Sequence, residues 1–164
     1  MKKIVYIMAI VLTSISCTGQ KSEFSKESLA YELTEKGGEK VTFQSILEAN
    51  KGKKVVIEIW AGWCSDCIKA MPKVKELQSK NPDVAYVFIS MDKSMEKWLE
   101  AVEKHDLSGQ MYWVNDAKMM KGEFGKSIDL DWIPRYIVVN EKGQIVLYRA
   151  IETEFDKMEK ALKD

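Results

Sequence analysis

Hydrophobic positions in this chain fall into short runs whose period changes along the sequence. Residues 54–60, with Val55-Val56-Ile57-Glu58-Ile59 at their centre, and residues 84–90 are nearly continuous runs of β-branched and aromatic side chains. That is the pattern of strands buried on both faces. Between them, residues 68–77 carry apolar side chains at helical spacing, and Asn81-Pro82-Asp83 closes the segment. Upstream, residues 29–33 predict a strand that turns at Gly37-Gly38 into Lys40-Val41-Thr42. Residues 43–50 follow as a short helix, with Thr42 as its N-cap and Lys51-Gly52 at its end. Downstream, residues 91–94 lead into an amphipathic helix with Met95, Trp98, Leu99 and Val102 on its apolar side. Residues 111–114 predict a strand, and 117–124 a short helix ended by Gly125. Strands over 135–140 and 144–150 are joined by the hairpin signal Asn140-Glu141-Lys142-Gly143. Residues 153–163 form a last amphipathic helix through Phe155, Met158 and Leu162. Strands alternating with helices, then an antiparallel hairpin, predict an α/β fold with a mixed sheet.

The N-terminus has a different pattern. Met1-Lys2-Lys3 is basic, and residues 4–15 are an apolar run too short for a comfortable membrane span. Ser14-Ile15-Ser16-Cys17 and the polar residues after it resemble a bacterial lipoprotein signal. The resemblance implies a signal peptide over 1–16, removed to leave Cys17 as a lipidated N-terminus. A polar tether over 17–27 and one domain over 28–164 would follow. Ser14 departs from the pattern, since a leucine-like residue is commoner there. Plain secretion or an uncleaved anchor are the alternatives, and each also leaves the domain outside the cytoplasm.

A chain of 164 residues, 46% of them hydrophobic, holds enough apolar surface for one sizeable core. Its 25 basic residues balance 25 acidic ones, so nothing in the charge points to nucleic acid or to an anionic membrane surface. Of three cysteines, Cys17 belongs to the N-terminal signal, which leaves Cys64 and Cys67 as a pair. They stand in Trp60-Ala61-Gly62-Trp63-Cys64-Ser65-Asp66-Cys67, where a strand ends and a helix begins. A thiol there faces unpaired backbone N–H groups and the positive end of the helix dipole, which favours the thiolate. A second thiol three residues on can reach it across one turn. The competing readings are a structural disulfide or half a zinc site. Zinc takes about four ligands, and no second cysteine pair exists.

Trp-Cys-x-x-Cys after a buried strand, with Pro72 five residues past Cys67, resembles the thioredoxin superfamily. So does Trp132-Ile133-Pro134-Arg135-Tyr136-Ile137-Val138-Val139, where a proline opens an apolar strand. Together with Asn-Glu-Lys-Gly-Gln-Ile-Val after it, the pattern is similar to envelope thioredoxins of the TlpA/ResA (redoxin) type. The resemblance implies a thioredoxin-like fold, a mixed central sheet flanked by helices on both faces. It implies a thiol–disulfide oxidoreductase that needs no cofactor and no metal. Its partners would be disulfide-containing polypeptides and an upstream dithiol electron donor, with apocytochrome c maturation or general disulfide reduction as pathways. Cys64 would be the nucleophile and Cys67 the resolving thiol. Pro134 would be cis, offering the Ile133 backbone to an extended polypeptide. Trp63, Trp132 and Ile133 would then rim the sulfurs, although either tryptophan reads equally well as packing. Trp60 reads as core, and Pro72 as a structural kink.

Two acids bear on the pair. Asp66 puts negative charge beside Cys64, opposing its thiolate and favouring a milder, more reducing couple. Glu58 lies six residues before Cys64 in an otherwise apolar strand. Relatives often carry a buried acid there; desolvated, it would titrate high and take the Cys67 proton. The alternative is a side chain escaping at a sheet edge. The lysine that accompanies this acid in thioredoxin is not evident, since Phe88 and Ile89 occupy the neighbouring strand. A thiol peroxidase would need a cysteine in a Pro/Thr-rich setting, and an envelope copper chaperone a wider cysteine spacing with a distal histidine. The single histidine, His105, reads as a surface or capping residue, and Met119-Met120 as core filler.

Overall fold

The computed structural model describes residues 21–164. The signal peptide expected over 1–16 and the lipid-bearing Cys17 lie outside the described residues. The chain folds into a seven-stranded mixed sheet with helices on both faces. Its strands are β1 (Glu32–Glu35), β2 (Lys40–Thr42), β3 (Val55–Trp60), β4 (Ala85–Ser90), β5 (Gln110–Trp113), β6 (Arg135–Val139) and β7 (Ile145–Ala150), in the order β2-β1-β5-β4-β3-β6-β7. β3, β4 and β5 run parallel, β6 is antiparallel to β3, and the hairpins β1–β2 and β6–β7 finish the two edges.

Every residue of β3 and β6 is buried, because both strands lie inside the sheet with helices above and below. The two parallel connections are crossovers through α3 (Ser65–Lys80) and α4 (Met95–Lys104). Both advance across the sheet in one direction, so right-handedness puts both helices on the same face. Contacts agree: Lys75 pairs with Asp106 at 3.3 Å, and Gln78 donates to the Ser108 carbonyl. The C-terminal α6 (Phe155–Lys163) joins that layer, with Lys73 of α3 above the Phe155 ring. On the other face, an aromatic cluster of Phe24, Tyr31, Phe43 and Phe124 ties together α1 (Lys26–Ala30), α2 (Phe43–Ala49) and α5 (Glu123–Ser127).

Four expectations shift. The strand predicted from residue 29 starts at Glu32, because Ser25 caps a helical turn: its Oγ accepts from the Ser28 amide and holds Leu29 and Ala30 in α1. Residues 117–124 do not form one helix stopped by Gly125. A 3₁₀ turn over Met119–Lys121 precedes α5, and Gly125 lies inside α5, where a Cβ would run into the Met120 carbonyl. The last helix begins at Phe155 rather than 153. The tether expected to extend to residue 27 is already docked by Lys21. Lys21 pairs with Asp129 at 2.6 Å, the Ser22 carbonyl accepts from the Ile145 amide, and Phe24 meets Phe43 edge to face.

Candidate active site

The apolar β3 ends at Trp60, and the backbone turns within four residues into α3. The Cys64 amide donates to the Ala61 carbonyl at 3.1 Å, closing a tight turn over 61–64. Cys64 is then the N-cap of α3, with extended backbone, and its Sγ accepts from the Cys67 amide at 3.1 Å. A sulfur is thus in the place of the usual capping oxygen, facing the positive end of a 16-residue helix. Cys64 and Cys67 form a disulfide with Cα atoms 5.3 Å apart. The two cysteines are unequal: Cys67 is fully buried, whereas Cys64 keeps 6% of its surface exposed. Pro72 lies inside α3 on its exposed side.

Opposite the disulfide runs the segment before β6. The Ile133–Pro134 bond is cis. The Ile133 carbonyl oxygen stands 3.5 Å from Cys64 Sγ. Ile133 itself is buried in the core cluster that also contains both cysteines, and its backbone carbonyl is what meets the sulfur. Trp63 and Trp132 each adjoin one end of this contact in the chain. They are 52% and 50% exposed, unusual for the largest apolar side chain and unlike the buried Trp60. Asp66, in the first turn of α3, pairs with Lys69 at 3.3 Å.

Glu58 sits in the middle of β3, hydrogen-bonded into the sheet between Phe88 of β4 and Tyr136 of β6. Escape at a sheet edge is therefore ruled out, and the side chain is 1% exposed. Among the described residues its one hydrogen-bond partner is the Tyr136 hydroxyl, which donates to Oε1 at 3.4 Å, and Oε2 is buried with none. Burial lifts the Glu58 carboxyl to about 8, against a smaller downward pull from the Tyr136 hydrogen bond. Burial and the neighbouring Glu58 charge push the Tyr136 phenol up as well, with Glu152 adding to the effect. Tyr136 packs at a tilt against Phe155 of α6, so the pair faces the layer that contains the dithiol helix.

One residue of this region escaped the sequence reading. Asp92, just past β4, is 3% exposed, and both its carboxylate oxygens accept from the Gly62 amide, at 3.1 and 3.0 Å. The available signal was position: Ser90-Met91-Asp92 ends a parallel strand beside β3, the end of such sheets where sites collect. A cleft of about 240 Å³ borders the loop there, lined by Gly62, Trp63, Asp92, Ala101 and His105 among others. His105 caps the C-terminus of α4 through its backbone, and Met119 and Met120 pack against the core. Among the described residues, no group of three or more His, Cys, Asp or Glu side chains is placed to hold a metal.

Comparison with known proteins agrees with this arrangement. The thioredoxin-like protein YneN of Bacillus subtilis is 30% identical over 130 residues, which are 77% of this chain and 66% of YneN, just under two thirds of its length. The thiol-disulfide oxidoreductase ResA of Bacillus thuringiensis is 25% identical over 146 residues, 88% of this chain and 79% of that protein. A thiol-disulfide oxidoreductase structure from Bacteroides fragilis superposes with a TM-score of 0.65 over 79% of this chain and 95% of its own, and at 23% identity it speaks to the fold. The model of the redoxin family matches residues 21–162, nearly all of the described structure including both cysteines and Pro134. A thioredoxin-like sheet, a disulfide at the start of α3 and that match together show that this chain belongs to the redoxin family.

Proposed function

We propose that this chain is a thiol–disulfide oxidoreductase of the bacterial cell envelope that reduces disulfides in exported polypeptides. The observation that carries the reading is the Cys64–Cys67 disulfide at a helix N-terminus, with the sulfur of the more exposed cysteine facing the Ile133 carbonyl. In the reduced protein, the helix start favours the Cys64 thiolate. That thiolate attacks one sulfur of a substrate disulfide, and the other substrate sulfur departs as a thiolate. Cys67 gives its proton to Glu58 and attacks Cys64 Sγ, releasing the second substrate thiolate. The substrate gains two electrons and the protein ends in the bridged form. A carboxyl titrating near 8 matches the basicity of a thiol, which suits proton exchange in both directions. An upstream dithiol then reopens the bridge, and Glu58 returns the proton to Cys67.

Trp63 and Trp132 supply an apolar border for an extended polypeptide running past Ile133 and Pro134. The Asp66 charge next to Cys64 opposes over-stabilisation of the thiolate, which favours a reducing couple. The basic start, the short apolar run and Cys17 support export and lipid anchoring facing the periplasm. With Lys21 already docked, the four residue steps from Cys17 extend at most about 14 Å, so the domain would ride close to the bilayer.

The test is a trap. Cys67→Ala should leave polypeptides covalently bound through Cys64 and released by reductant, while Cys64→Ser should capture none. A wild-type protein that does not exchange between bridged and open forms in glutathione buffers overturns the reading.

A further inference from the structure

We infer that Asp92 is a positioning residue for the redox dithiol: its buried carboxylate holds the Gly62 amide and thereby sets where Cys64 stands. The inference rests on the redox role of Cys64 and Cys67 given above.

Asp92 is fixed from three sides. Ser90 Oγ donates to its Oδ2 at 2.8 Å, and its own amide donates back to Ser90 Oγ at 2.9 Å. Its carbonyl accepts from the Trp113 indole at 2.8 Å. Ser90 at the end of β4 thus holds the carboxylate, and Trp113 at the end of β5 holds the backbone that carries it. What it holds is the first amide inside the turn that Ala61 and Cys64 close. The turn is pinned at its entrance by the sheet, through the Met91 amide on the Trp60 carbonyl, and at its exit by the start of α3. Asp92 supplies a third constraint between them. α4 also presses on the turn: a Cβ at Gly62 would overlap the Ala101 methyl and come within 3.4 Å of the Asp92 carboxylate, so only glycine fits this close approach. With its backbone fixed at both ends and in the middle, the turn delivers Cys64 Sγ to both the Cys67 amide and the Ile133 carbonyl. A catalytic sulfur misplaced by about 1 Å loses a large part of its reactivity.

A carboxylate also carries charge, and a charge near Cys64 would act on its thiolate without any positioning. Lys97, Glu100, Lys104 and His105 share the cleft with Asp92, and the carboxylate is met by Ser90 from β4 and Gly62 from the loop. Two substitutions separate the effects. Asp92→Asn keeps an oxygen for the Gly62 amide and removes the charge; Asp92→Ala removes both. In the full chain, Asp92→Ala should slow reduction of a protein disulfide about tenfold and displace both the Cys64 thiolate titration and the redox equilibrium with glutathione. Asp92→Asn should keep most of the rate. Ser90→Ala, which frees the carboxylate to turn, should fall between them and serves where Asp92→Ala does not fold. Asn behaving like Ala would assign the effect to charge and overturn the inference. Variants that lose stability while keeping the wild-type rate, titration and glutathione equilibrium would overturn it too. A wild-type protein inert in glutathione would instead remove the underlying redox reading.

Discussion

At the scale of single residues, the buried acid of β3 is the feature with the sharpest chemical consequence. Glu58 has Phe88 where thioredoxin places a lysine, and its hydrogen bond comes from the opposite strand, through Tyr136. A phenol is a weaker stabiliser of a carboxylate than an ammonium, so burial dominates and the carboxyl titrates at about 8. Tyr136→Phe removes the hydrogen bond that lowers this value. Glu58 should then titrate higher still, and the rise of reductase rate with pH should move to more alkaline pH; an unmoved profile would separate Tyr136 from the reaction. Glu58→Gln should slow reduction at neutral pH about tenfold and flatten the profile, read by stopped-flow with a disulfide substrate. Glu58 was legible in the sequence, as a lone acid in an apolar run. Tyr136 was not, since its role depends on the register between two strands distant in the chain.

At the scale of elements, most helices announce themselves by caps and period. Thr42, Ser94 and Cys64 each accept an amide at the start of a helix, and each was visible as a cap or a helix start. The misread elements were short and decided by packing. Five-residue α1 depends on the Ser25 cap, and five-residue α5 buries Phe124 against Tyr31 and Phe43. Helices of that length gain little from propensity. Gly125 was read as a stop signal, yet it is the point at which α5 touches the Met120 backbone. Gly125→Ala should therefore destabilise the fold by about 1–3 kcal/mol, although alanine is the better helix former. Urea unfolding with an unchanged slope and a lower midpoint would show it; an unchanged or raised midpoint would contradict the close contact.

Across the whole molecule, a buried carboxyl ties folding stability to pH. Unfolded, Glu58 titrates near 4.5; folded, near 8. The folded state thus binds the proton more tightly. The stability this contributes is complete below about pH 4.5 and is lost as pH rises through about 8, a change of roughly 5 kcal/mol at most. Urea midpoints measured from pH 5 to 9 should fall toward alkaline pH. Glu58→Gln should remove much of that slope and leave the variant more stable than wild type at the alkaline end, at the expense of rate. A slope identical in both proteins would show that Glu58 does not carry it.

The sequence by itself determined the kind of sheet, the cysteine pair at a strand-to-helix junction and the lone acid in an apolar strand, while the proline opposite the pair came from the resemblance to thioredoxins. The first three rest on local signals: period, caps, and a side chain out of place in an apolar run. The tertiary structure decided what lies across from what. It alone set Tyr136 against Glu58, buried the Ile133 side chain while presenting its carbonyl to Cys64, docked residues 21–27 onto the domain, and put Asp92 under the redox turn. Those contacts join residues tens of positions apart, and their register follows from how seven strands and two helical layers pack together.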